Sequence, residues 1–282
     1  MQGRTKLNVD DIISKKGKEK ISVITAYEYS TAKICDSAGI DILLVGDSAG
    51  MVMLGYSSTV PVGMEEMMIF CGAVSRGTKR AMIVGDMPFG SYQVAPSMAV
   101  ENAVRMIKAG CDAVKLEGSS ESVNTIRAIT DAGIPVMGHI GLTPQTSSLW
   151  EGYKLQGRTK EGANKLIEDA VLLEKTGVFS IVLEMVTSEV VDAITKNISI
   201  PTIGIGSGPS CDGQVLVLHD MLGIYQDIRP RFVKRYAELN MEIFNAVSSY
   251  NHEIKTGIFP GESNTFHMDA TELEKWKNEK GI

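Results

Sequence analysis

From Ser22 onward the chain repeats one unit: a short apolar run, a loop, a segment with helical spacing, then a small residue and a glycine. Ala38-Gly39, Ala109-Gly110, Ala132-Gly133 and Thr176-Gly177 read as helix stops, because glycine accepts the left-handed backbone that ends a helix. The apolar runs predict strands over Ser22–Thr25, Ile42–Val45, Ala81–Gly85, Ala113–Leu116, Val136–His139, Ser180–Leu183, Thr202–Ile205 and Val215–Leu218. Strands that alternate with helices pair in parallel, and this number favours a closed (β/α)8 TIM barrel over an open doubly wound sheet. Thr25-Ala26-Tyr27-Glu28 follows the first strand where a nucleotide-binding sheet would carry a glycine-rich turn, which weakens that alternative further. The last strand is the least distinct, since Leu216–Leu218 suits the start of a helix equally well.

A chain of 282 residues, 44% hydrophobic and 22% charged, is sized for one such barrel with a sizeable core. We read residues 1–282 as a single domain, with an N-terminal helical segment over 1–20 and a C-terminal helix and tail over 230–282. Asn8 can cap a short helix with Asp10 and Asp11 in its first turn and Lys15 and Lys16 in its last, placed to plug or flank the barrel's entrance. Phe232, Tyr236, Leu239, Ile243, Ala246 and Tyr250 recur at helical spacing and predict one amphipathic helix, packed on its own barrel or exchanged with a neighbouring subunit. The net charge of −6, with acids and bases interspersed, gives a nucleic-acid role no electrostatic support. The apolar stretches are strand-sized, too short for a membrane span, and no apolar stretch follows the basic residues at the N-terminus. Cys35, Cys71, Cys111 and Cys211 lack paired spacing and read as reduced core residues, which points to a cytoplasmic protein.

Four of the runs lead into a carboxylate: Val45-Gly46-Asp47, Val84-Gly85-Asp86, Leu116-Glu117 and Leu183-Glu184. Parallel strands of a barrel open their C-terminal ends on one side, so the fold gathers these acids around one pocket. Like charges so placed repel, and a site that accepts this cost holds a divalent cation or needs an acid or base. A lone Asp after a strand commonly caps the next helix; the repetition of Val-Gly-Asp favours a metal instead, and hard oxygen donors suit Mg²⁺ better than zinc. Lys115 and Glu117 are two apart on one strand and share a face, where they either pair with each other or address an anionic substrate and a metal together. Glu184 closes an unbroken apolar run, a poorly solvated setting suited to a general base. His139 ends the fifth strand, either as a structural residue or as a group facing substrate. Gly204-Ile205-Gly206-Ser207-Gly208 reads as a phosphate cradle or a tight turn, and the long segment Thr143–Thr159, with Trp150 and Tyr153, as a lid, a platform for a flat cofactor, or a surface excursion.

Several segments together resemble the ketopantoate hydroxymethyltransferase family: Val45-Gly46-Asp47-Ser48, Ser91-Tyr92-Gln93, Lys115-Leu116-Glu117-Gly118, Gly138-His139-Ile140-Gly141-Leu142-Thr143-Pro144-Gln145, Gly204-Ile205-Gly206 and His219-Asp220-Met221-Leu222-Gly223. The resemblance runs in consistent order from roughly Ser22 to Pro260. It implies a barrel of the phosphoenolpyruvate/pyruvate type and Mg²⁺-dependent transfer of a hydroxymethyl group from 5,10-methylenetetrahydrofolate to 3-methyl-2-oxobutanoate. By motif it implies Asp47 and Asp86 as metal ligands with Glu117 in the metal's shell through water; Ser48, Lys115 and His139 beside the oxo acid; Glu184 as the base; and a homodecamer. Met68-Ile69-Phe70-Cys71-Gly72 and Gly85-Asp86-Met87-Pro88-Phe89-Gly90 depart from the family pattern, and glycine at position 90 is expected to enlarge the pocket slightly. Metal-stabilised enolates also serve lyases and mutases of the isocitrate lyase type, so such a 2-oxo-acid enzyme is the competing reading, and a non-catalytic scaffold is a third.

Overall fold

The computed structural model describes residues 5–146 and 154–282. Eight parallel strands close in sequence order: β1 Ile21–Thr25, β2 Ile42–Val45, β3 Met82–Asp86, β4 Ala113–Glu117, β5 Val136–Gly141, β6 Ser180–Glu184, β7 Thr202–Ile205 and β8 Gly213–Leu216, which pairs back onto β1. The (β/α)8 barrel expected from the repeat is therefore observed. Gly39, Gly110, Gly133 and Gly177 all take positive φ where the preceding helices stop, as the small-residue–glycine pattern requires. The eighth strand corrects the expectation, for it starts at Gly213 and Leu218 already opens a helix. Gly213 is registered against both Ile21 and Ile203, and a Cβ there would stand 2.5 Å from the Ile21 carbonyl oxygen. Glycine thus lets the last strand close against the first, but it contributes nothing to an apolar run.

Helices α1 Val9–Ser14, α2 Tyr29–Ser37, α3 Ala49–Val52, α4 Met64–Gly77, α5 Pro96–Lys108, α6 Val123–Asp131, α7 Lys160–Thr176, α8 Ser188–Asn197 and α9 Leu218–Met221 accompany the strands. Alternate strand residues split into two apolar layers, the side-chain period of an extended chain. Leu43, Val45, Ile83, Val114, Leu116, Ile181 and Leu183 pack outward against the helices. Ile42, Leu44, Met82, Val84, Ala113, Met137 and Val182 fill the interior.

α1 is capped as expected, with Asn8 and Asp11 bonding reciprocally to each other's backbone amides, and its Ile12 is fully buried in the interior layer. It plugs the N-terminal end of the barrel, opposite the strand ends that carry the acids. Around it Lys15 meets Asp41 at 3.0 Å, Arg80 meets Asp41 at 3.2 Å and Lys16 meets Asp212 at 2.9 Å.

The C-terminal helix also corrects the expectation. α10 spans Leu239–Thr256, so Phe232 and Tyr236 precede it, and none of its residues is buried; Phe244, Val247 and Tyr250 are each more than half exposed. The helix α11, Ala270–Lys280, follows. Among the described residues no helix is long and apolar enough to cross a membrane.

Burial opposes the charge on Asp41, but the Ser22 amide and the cations Lys15 and Arg80 outweigh it and hold the carboxyl below its usual range. A depressed carboxyl stabilises the fold above its unfolded pKa of about 3.9, and that contribution is lost as pH falls through the lower folded value. Asp41→Asn is expected to cost about 2 kcal/mol at pH 7 in urea unfolding, with the deficit shrinking below about pH 4. An equal deficit at pH 7 and pH 3 would contradict this account.

Candidate active site

The C-terminal end of the barrel opens into a cavity of about 720 Å³ whose lining includes Asp47, Ser48, Asp86, Lys115, Glu117, His139 and Glu184. Every site residue picked out in the sequence thus reaches one space. Strand parity explains most of this: Asp86 continues the inward series Met82, Val84; Lys115 and Glu117 continue from Ala113; His139 follows Met137 and Glu184 follows Val182. Asp47 breaks the rule. By parity with Ile42 and Leu44 it would face outward, but β2 ends at Val45 and the loop turns Asp47 back into the cavity.

Register then sets the pairs. Asp86 lies beside Lys115, whose Nζ donates to both carboxylate oxygens at 2.7 Å. The cation on β4 therefore pairs across strands rather than with Glu117 on its own strand. Glu117 lies beside His139, with Oε1 3.5 Å from Nδ1. Glu184 is registered against Gly141, and its Oε2 comes within 3.2 Å of His139 Nε2. The imidazole sits between two carboxylates at ion-pair distance, although neither ring nitrogen makes an aligned hydrogen bond.

Gln145 is the residue that sequence reasoning did not assign. Fully buried, it donates from Nε2 to Asp47 Oδ2 at 2.9 Å and to the Met87 carbonyl at 2.9 Å, while its backbone amide donates to Glu117 Oε2 at 3.1 Å. The Tyr92 hydroxyl donates to Gln145 Oε1 at 2.8 Å and accepts from the Glu117 amide at 3.2 Å. Both residues belong to segments that carry the family resemblance, but a neutral amide and a phenol in loops gave no charge signal. Ser48 Oγ lies 2.8 Å from the Tyr27 hydroxyl, and the Tyr27 ring packs on His219 with centroids 5.5 Å apart.

Electrostatically the floor is short of positive charge. Burial, then the adjacent Asp86 and Glu117, push the Asp47 carboxyl well above its usual range, against Lys115 and the Gln145 amide. Burial disfavours the Lys115 ammonium, yet Asp86, Glu117 and Asp47 together raise its pKa and keep it charged. Burial and Lys115 likewise oppose charge on His139, but Glu117 and Glu184 prevail and raise it to about 9. Among the described residues no three His, Cys, Asp or Glu side chains are arranged as ligands of one metal. Asp47 and Asp86 do adjoin, with the Asp47 amide 3.4 Å from Asp86 Oδ2. A pair of hard carboxylates that disfavour each other's charge fits Mg²⁺, which takes one or two carboxylates and keeps its waters.

One sequence reading is corrected and another, left open between two alternatives, is narrowed to one of them. Gly90 is not in the cavity lining; it takes φ +86 and its amide donates to Gln93 Oε1, so it serves backbone geometry rather than pocket size. In Gly204–Gly208 the Ser207 hydroxyl donates to the Leu183 carbonyl at 2.7 Å and accepts from the Val186 amide at 3.0 Å, tying the ends of β6 and β7 together as a tight turn. Trp150 and Tyr153 lie outside the described residues.

A model of the ketopantoate hydroxymethyltransferase family matches residues 6–262. The chain belongs to this family. The 3-methyl-2-oxobutanoate hydroxymethyltransferase of Nitrosopumilus maritimus (strain SCM1) is 56% identical over 275 residues, 97% of this chain and 99% of that protein. The enzyme of the same name from Cenarchaeum symbiosum (strain A) is 56% identical over 259 residues, 92% of this chain and 98% of that protein. Among solved structures, phosphoenolpyruvate phosphomutase from Streptomyces platensis subsp. rosaceus aligns with a TM-score of 0.61 at 12% identity, covering 98% of this chain and 96% of that one. That likeness shows a shared (β/α)8 barrel fold.

Gln145→Leu keeps the side chain's bulk while leaving Asp47 Oδ2, the Met87 carbonyl and the Tyr92 hydroxyl without their partner. Buried groups so stripped cost about 1–3 kcal/mol each, with partial relief from rearrangement, so a net loss of about 2–4 kcal/mol in denaturant unfolding is expected. Unchanged stability would show that the amide is not the link between Asp47 and Tyr92.

Proposed function

We infer that the protein transfers a hydroxymethyl group from 5,10-methylenetetrahydrofolate to 3-methyl-2-oxobutanoate, giving 2-dehydropantoate for pantothenate synthesis. The observation that carries this reading is family membership over nearly the whole chain, combined with acids from four separate segments facing one cavity. Asp47 and Asp86 would hold Mg²⁺, with Glu117 in its outer shell. Bound there, the cation would draw electrons from the keto group of the oxo acid and make its C3 proton more acidic.

The chain's own groups divide the remaining work. Lys115 remains an ammonium in a dry site, able to pair with the substrate carboxylate once its hold on Asp86 is shared. The Ser48 hydroxyl, positioned by Tyr27, supplies a neutral hydrogen bond to the same acid. Glu184 is the one acid of the set that is not fully buried, with its side chain 16% exposed, and it faces the cavity as the group to take the C3 proton. His139 is a positioning residue, holding Glu184 and Glu117 on either side of its ring. With the proton removed, C3 forms the new C–C bond to the one-carbon unit, whose bonds to N5 and N10 break as tetrahydrofolate leaves; water supplies the hydroxyl oxygen, and its two protons with the one taken from C3 complete the hydroxyl and the two folate nitrogens.

The lyase or mutase reading has only the fold behind it, and Gly118-Ser119-Ser120-Glu121 follows β4 as a short turn closed by Glu121 on the Ser119 amide. A cytoplasmic location is supported by four buried, unpaired cysteines. The exposed apolar face of α10 supports association of copies, which the homodecamer reading requires.

Glu184→Gln is expected to lower C3 deuterium exchange of 3-methyl-2-oxobutanoate by about 10²-fold or more, the range of a lost general base, while Mg²⁺ binding by calorimetry persists. Wild-type exchange would remove Glu184 from that role. Asp86→Asn is expected to abolish the Mg²⁺ dependence of oxo-acid binding, and retained dependence would count against a metal at Asp86. Incubation of the wild-type protein with Mg²⁺, the oxo acid and 5,10-methylenetetrahydrofolate should yield 2-dehydropantoate; absence of product with turnover of another 2-oxo acid would favour the lyase reading.

A further inference from the structure

A cavity of about 720 Å³ is drug-sized, far larger than a five-carbon oxo acid requires, and its lining divides into two halves. The floor carries the charged groups described above. The remaining wall is mostly apolar, built from residues including Met51, Val52, Leu155, Ile228 and Phe232, with Tyr225 and Arg231 among them. Within that wall stands a carboxylate the mechanism does not use, Asp220 on α9, just beyond β8. Among the described residues its carboxylate oxygens accept no hydrogen bond and make no ion pair. Burial pushes its pKa up to about 6 against the opposing charge of Arg235, as expected of an acid short of partners. Its sequence neighbour His219 packs on Tyr27, and the Tyr27 hydroxyl meets Ser48 at the floor of the site.

We propose that the apolar half of the cavity is the pterin subsite of the folate co-substrate, and that Asp220 recognises the ring by accepting hydrogen bonds from its N3–H and 2-amino groups. This rests on the folate-dependent reaction inferred above. A 2-amino-4-oxopyrimidine edge presents two parallel N–H donors, the same fork that makes guanidinium a bidentate partner for carboxylates. A flat heterocycle also satisfies both features of the wall at once: its faces bury apolar side chains and its polar edge completes the unpaired acid. An unpartnered carboxylate among apolar residues is costly, and a ligand that supplies its missing donors recovers that cost on binding.

The test measures binding of tetrahydrofolate and of its 2-desamino analogue to the full-length protein, in the presence of Mg²⁺ and 3-methyl-2-oxobutanoate. The wild type is expected to favour tetrahydrofolate by about tenfold to hundredfold, the range for a hydrogen bond to a charged group. Asp220→Asn is expected to bind tetrahydrofolate weaker by a similar factor and to lose most of the preference between the two ligands, while Asp220→Glu recovers part of both. Equal wild-type affinity for the two ligands, or an Asp220→Asn protein that keeps the preference, overturns the assignment and leaves the folate reaction standing. A wild-type protein that exchanges the C3 proton of the oxo acid but binds neither folate overturns the folate reaction as well. The wild-type comparison decides the matter even where a variant fails to fold.

Discussion

Negative charge held out of water is the condition around which the site is arranged. Asp47, Asp86, Glu117 and Lys115 are each at most 6% exposed, and Glu184 adds a further carboxylate within reach of them. Anions so placed cannot all stay ionised without countercharge. Lys115 answers Asp86, His139 answers Glu117 and Glu184, and Asp47 is left with a neutral amide as its partner. The carboxyl with the weakest compensation is the one whose pKa rises, which marks the place where an added divalent cation has most to offer.

Rigid scaffolding is what makes this concentration of charge tolerable. The closed sheet has no edges, so each strand is fixed by two neighbours and the register cannot slip without turning every side chain over. α1 seals the far end with Ile12 and a ring of ion pairs to Asp41 and Asp212, which leaves the C-terminal mouth as the opening to the cavity. The segments beyond β2, β5 and β8 then build on strand ends tied to both neighbours, and they supply Asp47, Gln145 and Asp220.

The division of the cavity follows from the same construction. Strand ends bring charged groups inward at the floor, where alternate positions must point into the barrel. The loops above are free of that alternation and can line the upper wall with apolar side chains. A small acid at the floor and a flat ring above it would then meet where the two halves join, with Glu184 exposed to both.

Much of this was legible in the chain. The repeat of apolar run, helix and glycine specified the barrel, and period-two alternation placed Asp86, Lys115, Glu117, His139 and Glu184 on the inner face, because both are local properties of backbone and side-chain spacing. Register was not legible: that Lys115 pairs with Asp86 rather than with Glu117, and that Glu184 meets His139, depends on which residues of neighbouring strands lie side by side. Nor were the loop residues. Asp47 faces the cavity against its strand parity, and Gln145 joins Asp47 to Glu117 across 98 and 28 positions of sequence. The spacing of residues along the chain thus determined the strands, the barrel and the inward acids, whereas the pairing among those acids and the part played by neutral loop residues were decided only when the barrel closed, since hydrogen bonds and charge compensation depend on distances in space that no linear pattern encodes.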